Sequence, residues 1–171
     1  MNEPAILKDK HAIVFGASGS IGAAVARTFA AEGAEVFLAG RRKDLLDAVA
    51  AKIHDSGGRA HVGVVDALDD TAVDEYLQGI LEQSGAIDIE INATGPRAAE
   101  YGTGIPATDL PIDQFLTAQK VLTSQFITAR CAARRMVPRG SGAIISSPAA
   151  RRDHIPPEQQ QSVRRSPVWK T

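Results

Sequence analysis

Cysteine occurs once, at Cys131, and a single thiol cannot close a disulfide within the chain. The four histidines, His11, His54, His61 and His154, stand at no ligand spacing with it, so no zinc site is expected. No uncharged apolar run approaches the ~20 residues of a membrane helix. The opening residues carry Glu3, Lys8, Asp9 and Lys10 where a secretory signal would be apolar. Net charge is −1 over 171 residues, which implies no bulk electrostatic partner. These absences predict a cytoplasmic protein that binds neither nucleic acid nor membrane. What is present is ordinary for a globular chain: 44% hydrophobic residues, at a length that buries roughly 70% of the unfolded surface in one core.

Short β-branched runs alternate with longer helical patterns, which predicts an α/β fold, a doubly wound parallel sheet of Rossmann type. Strands are expected at residues 12–15, 35–39, 60–65, 87–91 and 142–146. In a first helix from Ser20 to about Glu32, Ile21, Val25 and Phe29 recur at four-residue spacing, so this face is expected to pack on the sheet, with Gly33 as its left-handed stop. In a long helix over about 113–137, Phe115, Leu122, Phe126, Ala129, Ala133 and Met136 form a stripe that we read as core. Cys131 reads as a small packing residue of the same helix. Pro138 and Gly140 end it.

The first strand runs into Gly16-Ala17-Ser18-Gly19-Ser20-Ile21-Gly22 and then directly into a helix. Small residues there let the backbone approach a pyrophosphate, and the helix N-terminus neutralises its charge, so the segment predicts a dinucleotide phosphate cradle. At the end of the second strand, a carboxylate would hold a ribose 2′-hydroxyl and an arginine a 2′-phosphate. Gly40-Arg41-Arg42 stands there, which predicts NADP over NAD. A loop from Gly95 to Pro111, broken by Pro96, Gly102, Gly104 and Pro106, follows the fourth strand and is expected on the substrate side.

From about Lys8 to Ala150 the chain resembles the short-chain dehydrogenase/reductase family. Gly16, Ser20 and Gly22 take the places of its Gly-x-x-x-Gly-x-Gly turn, with serine at the middle glycine. The resemblance implies that Asp66 lies beside the adenine and that Asn92-Ala93-Thr94-Gly95 is the family's Asn-Asn-Ala-Gly segment. It implies hydride transfer between nicotinamide and a carbonyl or alcohol carbon of a small molecule, with Ser147, or Ser146 one residue earlier, orienting the substrate oxygen. The family's tyrosine and lysine, in Tyr-x-x-x-Lys, have no match: Tyr76 and Tyr101 both precede Ser147, and Lys170 follows Ser166 at that spacing. The supporting asparagine of the long helix is also missing, its place holding Val121. His154 is the one neutral-range titrating group near Ser147.

Residues 1–150 therefore read as a nucleotide-binding domain. Residues 151–171 hold three prolines and few apolar residues, and we expect a disordered tail there. The expectation is a shortened or frame-shifted form of a longer reductase, impaired in catalysis, the alternative being a noncatalytic nucleotide-binding module or inactive fragment. The resemblance also implies pairing of subunits through the 113–137 helix, weakened here, so at most a weak homo-oligomer is expected.

Overall fold

A computed structural model describes residues 5–96, 100, 102 and 104–146. Within them the elements alternate as β1 (His11–Phe15), α1 (Ser20–Ala31), β2 (Glu35–Gly40), α2 (Lys43–Asp55), β3 (Arg59–Val64), α3 (Asp70–Ser84), β4 (Ile89–Asn92), α4 (Ile112–Met136) and β5 (Ala143–Ser146). The strands form one parallel sheet in the order β3-β2-β1-β4-β5. This is the expected Rossmann-like architecture. The chain leaves β1 toward β2 and later returns to β4 on the opposite side of β1, so a crevice opens where Phe15 stands level with Ala39 and Asn92.

Strands covered on both faces read as continuous apolar runs, and β1 and β2 show why. Ala12, Val14, Val36 and Leu38 pack on α1 and α2, through Ala26, Ala30, Leu46 and Ile53. Ile13, Phe15 and Phe37 pack on α3 and α4, through Leu77, Ile80, Cys131 and Ala132. Asp69 caps α3 by accepting from the Ala72 amide, and Gly85 ends it at φ 76°. Arg130 and Arg135 of α4 donate to Asp70 and Asp74 of α3, and hold both carboxyls below the usual carboxylate range.

Two helix faces differ from the sequence expectation. On α1 the buried residues are Gly22, Ala26 and Ala30; Val25 and Phe29 are half-buried and Ile21 is exposed. The cause is proximity, because a Cβ on Gly22 would lie 2.3 Å from the Gly16 carbonyl oxygen, and only small residues fit so close. On α4 the inward face is Val121, Ser124, Ile127, Thr128, Cys131, Ala132 and Met136. Of the expected stripe only Met136 is fully buried; Phe115, Leu122 and Phe126 are exposed, and Arg130 lies over the Phe126 ring at 5.1 Å. The two hydroxyls of this face have polar partners, Thr128 at Asn92 and Ser124 at Thr94. Cys131 is a packing residue as expected, its thiol pushed up chiefly by burial. Strand β5 lies at the sheet edge with Ile144 and Ile145 exposed.

Candidate dinucleotide-binding site

The crevice at the carboxyl ends of β1, β2 and β4 is a cleft of about 570 Å³. The turn after β1 forms its floor. Gly16 adopts φ 73°, and a Cβ there would come within 2.8 Å of the Ala93 and Thr94 backbone, so the first glycine meets both a conformational and a steric demand. Gly19 precedes α1 with no capping side chain, and no acidic residue occupies the first turn. The amide groups of that turn are thus left to an anion, which suits a pyrophosphate. Gly22→Ala is expected to lower the melting temperature and to weaken dinucleotide binding together, because the new methyl must displace the Gly16 carbonyl. A thermal melt and a cofactor titration check this, and an unchanged pair of values would contradict it.

Gly16, Ser18, Arg41, Arg42, Asp66, Ala93 and Gly95 all line the cleft. At one wall Arg42 Nη2 donates to Ser18 Oγ at 3.5 Å, and Arg41 Nη1 stands 4.0 Å from the Asp66 carboxylate. Both contacts are long and exposed, so either guanidinium is free to turn to a phosphate. Ser20 and Ile21 lie in the exposed first turn of α1, and Gly22 is buried behind the cradle. Asn92 is fully buried rather than lining, and acts from behind the wall. Its Nδ2 donates to Thr128 Oγ1 at 3.0 Å, while its Oδ1 accepts from the Thr94 amide at 2.9 Å and from the Thr94 hydroxyl. Thr94 Oγ1 in turn meets Ser124 Oγ at 2.9 Å.

The opposite wall was not legible in the sequence. Thr117, Lys120, Val121 and Ser124 of α4 line it, together with Leu68 beyond β3. The hydroxyl residues Thr117, Ser124 and Thr128, with Val121 between them, recur at helical spacing on this face, a weak signal set against the larger Phe115, Leu122 and Phe126. Val121, at the place where the resemblance implies an asparagine, presents an apolar surface to the cleft. Tyr76 is not among the lining residues; its ring fills the space beside Gly63, and burial pushes its hydroxyl up. Ser147, Tyr101, His154 and the 151–171 tail lie outside the described residues. Pro96 and Glu100 of the loop before α4 line the cleft, and the described Gly102 is buried against Leu110 and Gln114.

A glycine cradle at a topological switch point, an uncapped helix N-terminus and two arginines at the end of β2 define a dinucleotide-binding α/β protein. The profile of the short chain dehydrogenase family matches residues 10–155, and the chain belongs to that family. It is similar to gluconate 5-dehydrogenase of Gluconobacter oxydans, with 32% identity over 140 residues, covering 82% of this chain and 53% of that enzyme. Among solved structures, NAD+-bound xylitol dehydrogenase matches at TM-score 0.76 and 27% identity, over 82% of this chain and 53% of that one. A metagenomic short-chain oxidoreductase in complex with NADP matches at TM-score 0.72 and 30% identity, over 82% and 62%. The chain spans between 32% and 58% of the length of the first curated relatives it matches.

Proposed function

We propose that this chain binds NADP in the β1/β2/β4 cleft and descends from oxidoreductases that reduce a carbonyl or oxidise an alcohol of a small molecule. The observation that carries the cofactor preference is the Gly40-Arg41-Arg42 end of β2, which brings two guanidiniums and no carboxylate of its own to the cleft, the Asp66 carboxylate after β3 standing 4.0 Å from Arg41. The bound nicotinamide would supply hydride chemistry. The first turn of α1 takes the pyrophosphate, Arg41 and Arg42 take the 2′-phosphate, Asp66 flanks the adenine, and the Asn92–Gly95 segment borders the nicotinamide half. Ser147 is the residue we assign to orienting a substrate oxygen. The Tyr-x-x-x-Lys pair is missing from these residues, so the chain by itself acts as a cofactor-binding module with impaired turnover.

Calorimetric titration with NADP+ tests the arginine assignment. Arg41→Ala and Arg42→Ala should each weaken NADP+ binding about tenfold, the equivalent of a lost charge-assisted phosphate contact, and leave NAD+ nearly unchanged. Equal losses for both cofactors would contradict the assignment. Weak self-association through the exposed Phe115, Leu122 and Phe126 surface of α4 is also expected, and the cytoplasm remains the compartment we assign. Sedimentation should show mostly monomer at micromolar concentration, and a tight dimer there would contradict the weak pairing.

A further inference from the structure

Asp88, Glu90 and Asn92 stand at alternate positions along the strand and so face the same layer, that of α3 and α4. All three are buried. Asp88 is well served: it accepts from the His11 amide at 3.0 Å and pairs with Lys10 and Arg139, which together outweigh its burial and hold its carboxyl below the usual range. Asn92 is bonded on both sides, as described above. Glu90 between them is fully buried, and neither carboxyl oxygen completes a hydrogen bond. Its strand partners in register are Ile13 and Ile144, which offer nothing polar.

We propose that Glu90 is a positioning residue for the cofactor cleft, acting in its protonated form through Thr128 and Asn92 on the Thr94 and Ser124 wall. The inference rests on reading the cleft as a dinucleotide site. Thr128 is the polar side chain at Glu90, and its hydroxyl accepts from Asn92 while reaching the Gln125 carbonyl at 3.4 Å. With Glu90 ionised, the Thr128 hydroxyl turns its single hydrogen from that carbonyl to the carboxylate, and its lone pairs turn with it out of line with Asn92 Nδ2. A proton on Glu90 supplies the missing donor: Glu90 donates to Thr128 Oγ1, Thr128 keeps the Gln125 carbonyl, and Asn92 stays bonded to Thr128. Asn92 then holds the Thr94 amide and hydroxyl, and Thr94 Oγ1 lies 2.9 Å from Ser124 Oγ at the cleft surface.

Burial raises the Glu90 carboxyl to about 7, with Thr128 opposing, so the exchange occurs at ordinary working pH. Among the described residues no charged partner competes for it. On α4, Arg130, Arg134 and Arg135 turn to Asp70 and Asp74 of α3, Lys120 lines the cleft, and Cys131 is a buried thiol whose sulfur lies 3.6 Å from Asp70. On β1, His11 is held at Asp88, and β5 carries no titratable side chain.

The Thr94 amide reports the wall directly, so hydrogen exchange of the ligand-free protein is the first measurement. From about pH 6 to about pH 8 its protection factor should fall about tenfold in the wild type and stay within about twofold in Glu90→Gln, whose amide donates at every pH. Glu90→Leu, which has no titrating group, should be flat as well. NADPH titrations over the same range should weaken about tenfold in the wild type and less than twofold in Glu90→Gln. A wild-type protection factor that does not change, or a fall of equal size in Glu90→Gln, overturns the role of Glu90. NADPH that fails to bind at any pH, with Thr94 protection still following Glu90, overturns the cofactor reading instead, and with it the cofactor half of this proposal.

Discussion

Glu90→Leu should stabilise the protein by about 3 kcal/mol at about pH 8 and change it little near pH 4. The sign follows from the direction of the shift. Burial holds the Glu90 carboxyl at about 7 in the folded protein, against an ordinary value of 4.5, so the folded state keeps its proton longer than the unfolded chain. Stability contributed by the neutral carboxyl is complete below the unfolded value, declines as pH rises, and is fully lost above the folded one. Leucine removes the titration and places an apolar side chain in register with Ile13 and Ile144, where the described residues offer no charged partner. Urea melts at three pH values check this. A variant whose midpoint follows the wild type at every pH would contradict it, and one destabilised equally throughout would point to overpacking instead.

The second large effect concerns chemistry. Mixed with NADPH and a panel of carbonyl compounds, this chain is expected to bind cofactor yet consume almost none of it. An acid/base group typically contributes a factor of 10² to 10⁴, roughly 3 to 5 kcal/mol of barrier, and here the lysine that would tune such a group is missing as well. Among the described residues the cleft offers no replacement: Val121 is apolar, Tyr76 lies beside Gly63 and does not line the cleft, and no tyrosine lines the cleft with Lys120. Loss of nicotinamide absorbance with excess protein is the assay. Robust multiple turnovers that vanish in Ser147→Ala and in His154→Ala would contradict the prediction, and would identify a rebuilt acid/base pair.

The parts of the fold that were legible in the sequence are those where both faces of a strand are buried. Ala12-Ile13-Val14-Phe15 and Val36-Phe37-Leu38-Ala39 carry apolar residues at every position, and turn residues mark their ends, so strands and cradle could be placed within a residue or two. The helix faces were not legible in the same way. Large apolar residues attract attention, yet α1 meets the sheet with Gly22, Ala26 and Ala30, and α4 mixes Ser124, Thr128, Cys131 and Ala132 with Val121, Ile127 and Met136. Periodicity places Ile21, Phe115, Leu122 and Phe126 inward, and they lie outward. Glu90 escaped for the opposite reason: a lone charged residue within a strand reads as a solvent-facing position, and only the α4 layer above it shows that it is buried.

The cofactor half of the site divides similarly. Gly16, Arg41, Arg42 and Asp66 are adjacent to strand ends, where chain order predicts position, and the structure gathers them into one cleft. Lys120 and Ser124 reach that cleft from a helix far along the chain, where only helical spacing, and at Val121 the family resemblance, points to them.

The central claim, a dinucleotide cleft built to accept a 2′-phosphate, is tested most directly by titrating the wild-type protein with NADPH and with NADH and following nicotinamide fluorescence. The account predicts that both bind and that NADPH binds at least about tenfold more tightly, with the difference abolished in the Arg41→Ala, Arg42→Ala double variant. Equal affinities for the two cofactors in the wild type, or a preference that survives removal of both arginines, would contradict it.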